Sequence, residues 1–320
     1  MKKAVKIILI VIVVVLIVSF IGTSGFIGLQ VFEGSTQLVT NENTKGISKA
    51  LWEDYIFDYE SFSNKYKVEE LKIDSSFEEH IIPADYIYAI ESQNSKNNKT
   101  VIMAHGLGGN RYSNYPIAEF FLEQGYNIIT YDQRSSNENI AKYTTFGYFE
   151  KYDLIDCVKY LEEQALGQRI GLWGASYGGA TAGLAVGYED VGERVDFLIL
   201  DSPVSSMHWM LNEEMKGMDI GIPASYMTWC GNIINQLKFG FTYKDADVPT
   251  ALKNAKIPVL IINSKIDTLT PYFMGKDIFD AIPGNNKEIW TVEDSKHYEI
   301  WVDYNQEYRD RVVSFLSKYE

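Results

Sequence analysis

RIGLWGASYGG, residues 169 to 179, is a mainly apolar run that breaks into Gly174-Ala175-Ser176-Tyr177-Gly178, a G-x-S-x-G pentapeptide. Alone, such a pentapeptide is a weak signal, because small residues co-occur often. Its setting is stronger. Arg169–Trp173 reads as a strand, and Tyr177–Val186 reads as a helix rich in Ala and Gly. A serine on a sharp turn between strand and helix is the context of a nucleophile elbow. Flanking glycines give room where a side chain would clash. The helix start behind the serine favours developing negative charge. The plainer alternative is an ordinary glycine-rich helix start, and the features further along the chain weigh against it.

Working outward, apolar runs alternate with helical stretches. Thr100–Ala104, Tyr126–Tyr131, Arg169–Trp173, Val195–Leu200 and Pro258–Asn263 are predicted strands with little polar alternation, as expected when both faces are covered. Val68–Ile73 and Tyr86–Ile90 are predicted as earlier antiparallel strands, and Ile289–Val292 as the last one. Helices are predicted at Tyr115–Gln124, Lys151–Leu166, Tyr177–Val186, Tyr272–Ala281 and Tyr304–Lys318. This rhythm implies an α/β fold with a mostly parallel sheet flanked by helices. Residues 205–247, rich in Met, Trp and Tyr, interrupt it and are predicted as a small helical lid insertion.

A serine nucleophile needs a base, and the chain has four histidines: His80, His105, His208 and His297. His297 lies after the last predicted strand and before the final helix. In elbow enzymes the partners follow in the order Ser, acid, His, which selects His297. His105-Gly106-Leu107-Gly108-Gly109 follows the strand Thr100–Ala104, and a glycine-rich loop there suits an oxyanion hole. The backbone N–H groups of Leu107 and Tyr177 are the expected donors. His105, far upstream of Ser176, is expected to order the loop.

With Ser176, His297 and this loop in view, residues 68–318 resemble the α/β-hydrolase superfamily. The likeness is greatest to membrane-anchored bacterial members of the serine-aminopeptidase and acylglycerol-lipase-like branch. The Ser-Tyr-Gly-Gly form is also seen in prolyl-oligopeptidase-like enzymes. Tyr131-Asp132-Gln133-Arg134 resembles the family's post-strand D-x-R segment, with Ser135 where the family has glycine. Glu150 and Asp153 resemble a recurrent acidic pair opening the next helix. The resemblance implies a Ser-His-Asp triad acting through an acyl-enzyme. Asp267, followed by Thr268-Leu269-Thr270-Pro271, matches the family's loop acid before a helix-opening proline. Asp201 also follows a strand and is the rival acid, though Asp-Ser-Pro suits a plain turn. Fold does not fix substrate. An esterase, lipase or thioesterase is favoured, an exo- or oligopeptidase is the alternative, and a non-catalytic binding protein on the same scaffold is the third reading. Covalent labelling by a fluorophosphonate separates the last from the enzymes.

The N-terminus carries a different signal. Lys2, Lys3 and Lys6 precede an uncharged span from Ile7 to Phe32, purely aliphatic to Val18. About 20 apolar residues cross a bilayer as a helix. Residues 1–32 are therefore expected to be a single-pass anchor in the cell membrane. The lysines place the rest, including the catalytic domain, outside the cytoplasm. A cleaved signal peptide is the competing reading, left open by the small residues Gly22, Ser24 and Gly25. Residues 33–66 are expected as a membrane-proximal connection with a short helix around Ile47–Phe57, and 67–320 as the hydrolase domain. A net charge of −14 argues against nucleic acid as a partner. Cys157 and Cys230 are expected as buried free thiols. The chain implies no metal or other cofactor; the substrate is a small molecule or short peptide with an acyl carbonyl. Met207, Trp209, Met210, Met227 and Trp229 are candidate pocket residues, since pockets are mostly apolar and aromatic.

Overall fold

The computed structural model describes residues 2–90, 99–166 and 168–319. Met1 and Glu320, at the outer limits of the expected anchor and hydrolase domain, lie outside these residues. The chain divides into two compact units, residues 37–207 with 246–320, and residues 1–36 with 208–245.

Among the described residues of the larger unit, eight strands form one sheet: β1 (Lys67–Asp74), β2 (Ile81–Tyr88), β3 (Lys99–Ala104), β4 (Asn127–Tyr131), β5 (Arg169–Ala175), β6 (Phe197–Asp201), β7 (Val259–Ser264) and β8 (Lys287–Val292). Their spatial order is β1-β2-β4-β3-β5-β6-β7-β8. β1 and β2 pair antiparallel, β2 pairs antiparallel with β4, and the strands from β4 to β8 run parallel. Strands β4, β6 and β7 are buried at every position, because helices cover both faces. This is the α/β-hydrolase fold. From β3 the chain steps outward to β4 and then crosses to β5 on the other side, so the strand order reverses between β3 and β5. Crevices for ligands open at the carboxyl ends of strands at such a switch point.

Most boundaries shift from the sequence expectation by a few residues at most, and two regions differ more. β2 begins at Ile81, five residues before Tyr86, because Pro83 disguises the strand. Its missing N–H is tolerated, while its carbonyl accepts from Asp132 N at 2.9 Å. The segment 33–66, expected as a membrane-proximal connection, is divided between the two units. Glu33–Thr36 continue the first helix, and residues 37–66 belong to the hydrolase unit. Helices Ile47–Asp54 and Tyr59–Lys65 are fixed there by Phe62, buried against Tyr115 with ring centroids 4.9 Å apart, and by Trp52 Nε1 donating to Tyr112 O at 2.9 Å. Short helices built around scattered aromatics leave no periodic trace.

The smaller unit is a finding that periodicity could not supply. Helix Lys2–Thr36 runs unbroken for 35 residues, and the aliphatic run from Ile7 to Val18 is exposed along its length. It is long and apolar enough to cross a membrane. Its second half packs along helix Ala224–Phe239 of the insertion. Small residues permit the approach: a Cβ on Gly28 would lie 2.6 Å from Cys230 O, and one on Gly231 would lie 2.3 Å from Val31 Cγ1. Val31, Met215 and Met227 form the apolar seam, and Phe32 meets Phe239 with centroids 4.9 Å apart. Cys157 and Cys230 are both buried and free.

Gly28→Val should therefore separate the two helices, whereas Gly25→Val, with nothing within 4 Å, should not. Limited proteolysis of the full chain in detergent checks this: cleavage within 208–245 should accelerate for Gly28→Val and match the unaltered chain for Gly25→Val.

Candidate active site

Ser176 follows β5 with φ 51° and ψ −115°, a conformation that costs a non-glycine residue about 1–3 kcal/mol. The surroundings enforce it. Ser176 N donates to Asp201 O at 2.8 Å, and Ser176 O accepts from Gly179 N and Val204 N, each at 3.0 Å. The flanking glycines are required by proximity. A Cβ on Gly174 would sit 2.3 Å from Gly178 O, and a Cβ on Gly178 would sit 2.0 Å from Ala104 O. Helix Tyr177–Val186 thus presses against the end of β3, bringing the elbow beside the loop that starts at His105.

The structure brings Ser176, His297 and Asp267 together. His297 Nε2 lies 2.9 Å from Ser176 Oγ, and Nδ1 lies 2.7 Å from Asp267 Oδ2. A carboxylate only accepts, so it holds the proton on Nδ1 and leaves Nε2 free to accept from the serine hydroxyl. Asp267 is buried, and its carboxylate also accepts from Leu269 N, Thr270 N and Thr270 Oγ1 at 2.8–2.9 Å. Burial would raise its pKa, but the hydrogen bond and charge of His297, with the Thr270 contacts, outweigh it and hold the carboxyl below its usual value. Pro271 caps helix Tyr272–Ala281 and lies one position before its first turn. The His297 loop is moored to β7 by Ser264 Oγ donating to Ser295 O at 2.5 Å.

Asp201, the rival acid, faces elsewhere. It accepts from Tyr308 Oη at 3.0 Å and from Ser202 Oγ at 3.1 Å. Burial pushes its carboxyl up to about 6 despite these bonds and the nearby His297.

His105 is buried, and burial lowers its pKa, keeping it neutral. Nδ1–H donates to Gly106 O at 2.8 Å, and Nε2 accepts from Gln133 N at 3.0 Å. It therefore orders the loop, as its position implied. Gly108 takes φ 82°, and Gly109 N closes the turn on Gly106 O at 3.1 Å. Gln133 had no assigned role in the sequence, yet it bridges the site. Its Nε2 donates to His105 O at 2.5 Å, and its Oε1 accepts from Thr181 Oγ1 at 2.7 Å. Ser135 adopts φ 60°, the left-handed conformation a glycine would take freely, and its Oγ bonds Ala141 O at 2.8 Å. Tyr177, whose N–H is the second expected donor, is fixed by its phenol. That hydroxyl donates to buried Glu150 at 2.9 Å and accepts from the N–H groups of Thr145 and Phe146, both at 3.0 Å. Asp153 pairs with buried His80 at 3.0 Å.

A groove of about 260 Å³ opens at Ser176 and His297, lined by Ile47, Leu51, Gly106–Gly109, Ser113 and Tyr298. Ile47 and Leu51 come from the segment expected to be a connection, and nothing in their spacing marked them. Of the five insertion residues expected at a pocket, Met207 is buried in the hydrolase unit, and the other four belong to the smaller unit. There Met227 is buried against Val31 and Met215, and Trp229 is half exposed.

Residues 99–229 match the family model for the alpha/beta hydrolase fold. The chain is similar to the uncharacterized protein YqkD of Bacillus subtilis (strain 168), 25% identical over 240 residues that cover 74% of this chain and 78% of that one. It is 22% identical over 201 residues to the Danio rerio lysophosphatidylserine lipase ABHD12, covering 59% of this chain and 49% of the relative. Among solved structures, the Pyrococcus furiosus esterase Pf2001 superposes with a TM-score of 0.64 at 23% identity, covering 82% of this chain and 96% of that one. The chain carries the α/β-hydrolase fold, and these similarities support a hydrolase.

Asp267→Asn should reduce turnover on the order of 10⁴-fold with folding intact, because an amide no longer holds the imidazole tautomer. Asp201→Asn should keep near-normal turnover. The raised Asp201 pKa means that its contribution to stability is present below the ordinary carboxyl value of 3.8 and lost as pH rises through about 6. Melting curves should accordingly show Asp201→Asn gaining stability over the unaltered chain at pH 8 relative to pH 4.

Proposed function

We propose that this chain is a membrane-anchored serine hydrolase that transfers an acyl group from an ester to water. The observation that supports it most is the continuous hydrogen-bond line from Asp267 through His297 to Ser176. In this reading His297 Nε2 takes the Ser176 proton as Oγ attacks the carbonyl. The N–H groups of Leu107 and Tyr177 hold the oxyanion. His297 then gives its proton to the leaving oxygen. A water, deprotonated by His297, attacks the acyl-enzyme and releases the acid, and the proton returns to Ser176.

An ester is favoured over a peptide terminus by the groove. Among its described lining residues are Ile47, Leu51, Leu107 and Tyr298, and none is acidic, lysine or arginine. An exopeptidase would need a counter-ion for the free terminus it holds. The lysophosphatidylserine lipase relative agrees with an ester. The anchored topology rests on the lysines before Ile7 and on the packing of Ser24 and Gly28 against the insertion. That packing gives Ser24, one of the three small residues that leave cleavage open, a role other than in a cleavage site.

A panel of p-nitrophenyl esters beside aminoacyl anilides tests the bond. Esters should be turned over and anilides left intact; efficient anilide cleavage would replace this reading by the peptidase. Leu51→Trp should fill the groove and lower kcat/KM for longer acyl chains about 10- to 200-fold, with the shortest esters little affected. On intact cells, external protease should digest the hydrolase domain, and its protection would contradict the outward topology.

A further inference from the structure

The anchor helix exits the bilayer at a place that geometry sets. Counting from Lys6, about 20 residues at about 1.5 Å each cover the roughly 30 Å of hydrocarbon. That count ends near Phe26, yet helix Ala224–Phe239 already touches the anchor before that point. Ser24 Oγ donates to Phe20 O, so the 2.6 Å contact with Tyr226 is a bond from the phenol to Ser24. The Tyr226 ring lies 6.1 Å from that of Phe20. The first turn of the insertion helix is thus level with the outer end of the apolar span, where the hydrocarbon meets the headgroups.

The side chains there are those that such a boundary favours. Trp229 stacks on Tyr226, with centroids 5.9 Å apart and planes at 23°, and remains 50% exposed. The link from helix Met207–Gly217 brings Met218 and Ile220, 49% and 59% exposed. Large apolar groups left exposed along the link and on the helix it leads into mark a surface with a partner. Tyr and Trp rings, apolar with one polar atom, concentrate at membrane interfaces. No lysine or arginine lies between Met218 and Trp229, and Asp219 is acidic, so attraction to anionic lipid does not supply the contact.

We propose that the Met218–Trp229 end of the insertion is a second membrane contact, seated in the outer leaflet where the acyl chains meet the headgroups. The occupant of this face is the bilayer itself, continuous with the span of the anchor helix. The inference rests on the anchored topology proposed above. It makes the insertion an interfacial element, fixed to the anchor through Ser24, Gly28 and Phe32.

The test uses the full chain in phosphatidylcholine nanodiscs whose lipids carry bromine at acyl carbons 6 and 7 or at 11 and 12, which quench tryptophan on contact. The shallow bromines should quench part of the emission more strongly than the deep ones, and Trp229→Phe should lose most of that quenched fraction. If the chain incorporates but Trp229→Phe is quenched as fully as the unaltered chain, the contact is overturned and the anchor stands. A chain that stays out of the nanodiscs overturns the anchored topology and this contact with it.

Discussion

Ser176 keeps its φ of 51° because β5, its following helix and β3 meet with no room for a Cβ at Gly174 or Gly178. The strain of one residue is held by the packing of three elements. That constraint turns the hydroxyl out at the carboxyl end of the sheet, where the strand order reverses. It also sets the distance from the elbow to the His105 loop, since Gly178 touches the carbonyl of Ala104, the last residue of β3. Both expected oxyanion donors, Leu107 and Tyr177, therefore flank one joint.

Around that joint the polar groups are shared out so that only one acid serves the histidine. Asp267 spends its carboxylate on His297 and its own turn. Asp201, buried at the end of the neighbouring strand β6, spends its on Tyr308 and Ser202. The two carboxyls are driven in opposite directions, one lowered by its donors and the other raised by burial. Glu150, Gln133 and His105 fix the loops on the other side of Ser176, so few of the buried polar groups there lack a role.

The fold was legible because its strands are buried on both faces and so read as uninterrupted apolar runs, and because helices Tyr177–Val186 and Tyr272–Ala281 carry clear boundaries. Ser176, His297 and Asp267 were legible because each sits at a fixed place relative to such a run. The groove wall was not. Ile47 and Leu51 lie on a short helix held by scattered aromatics, and their role depends on tertiary contacts with no local period. The joining of the anchor to the insertion was equally hidden. It brings together residues some 200 positions apart through Gly28 and Gly231, whose importance is a missing side chain. Gln133 could have been suspected from its place inside Asp-Gln-Arg, but its two partners come from different elements.

The central claim is that the strained serine is the group that attacks. Peptide mapping by mass spectrometry after reaction with a fluorophosphonate tests it most directly. One phosphonyl group per chain, located on Ser176, is the result this account predicts. An adduct on any other residue, or none on a folded chain that still turns over esters, would contradict it.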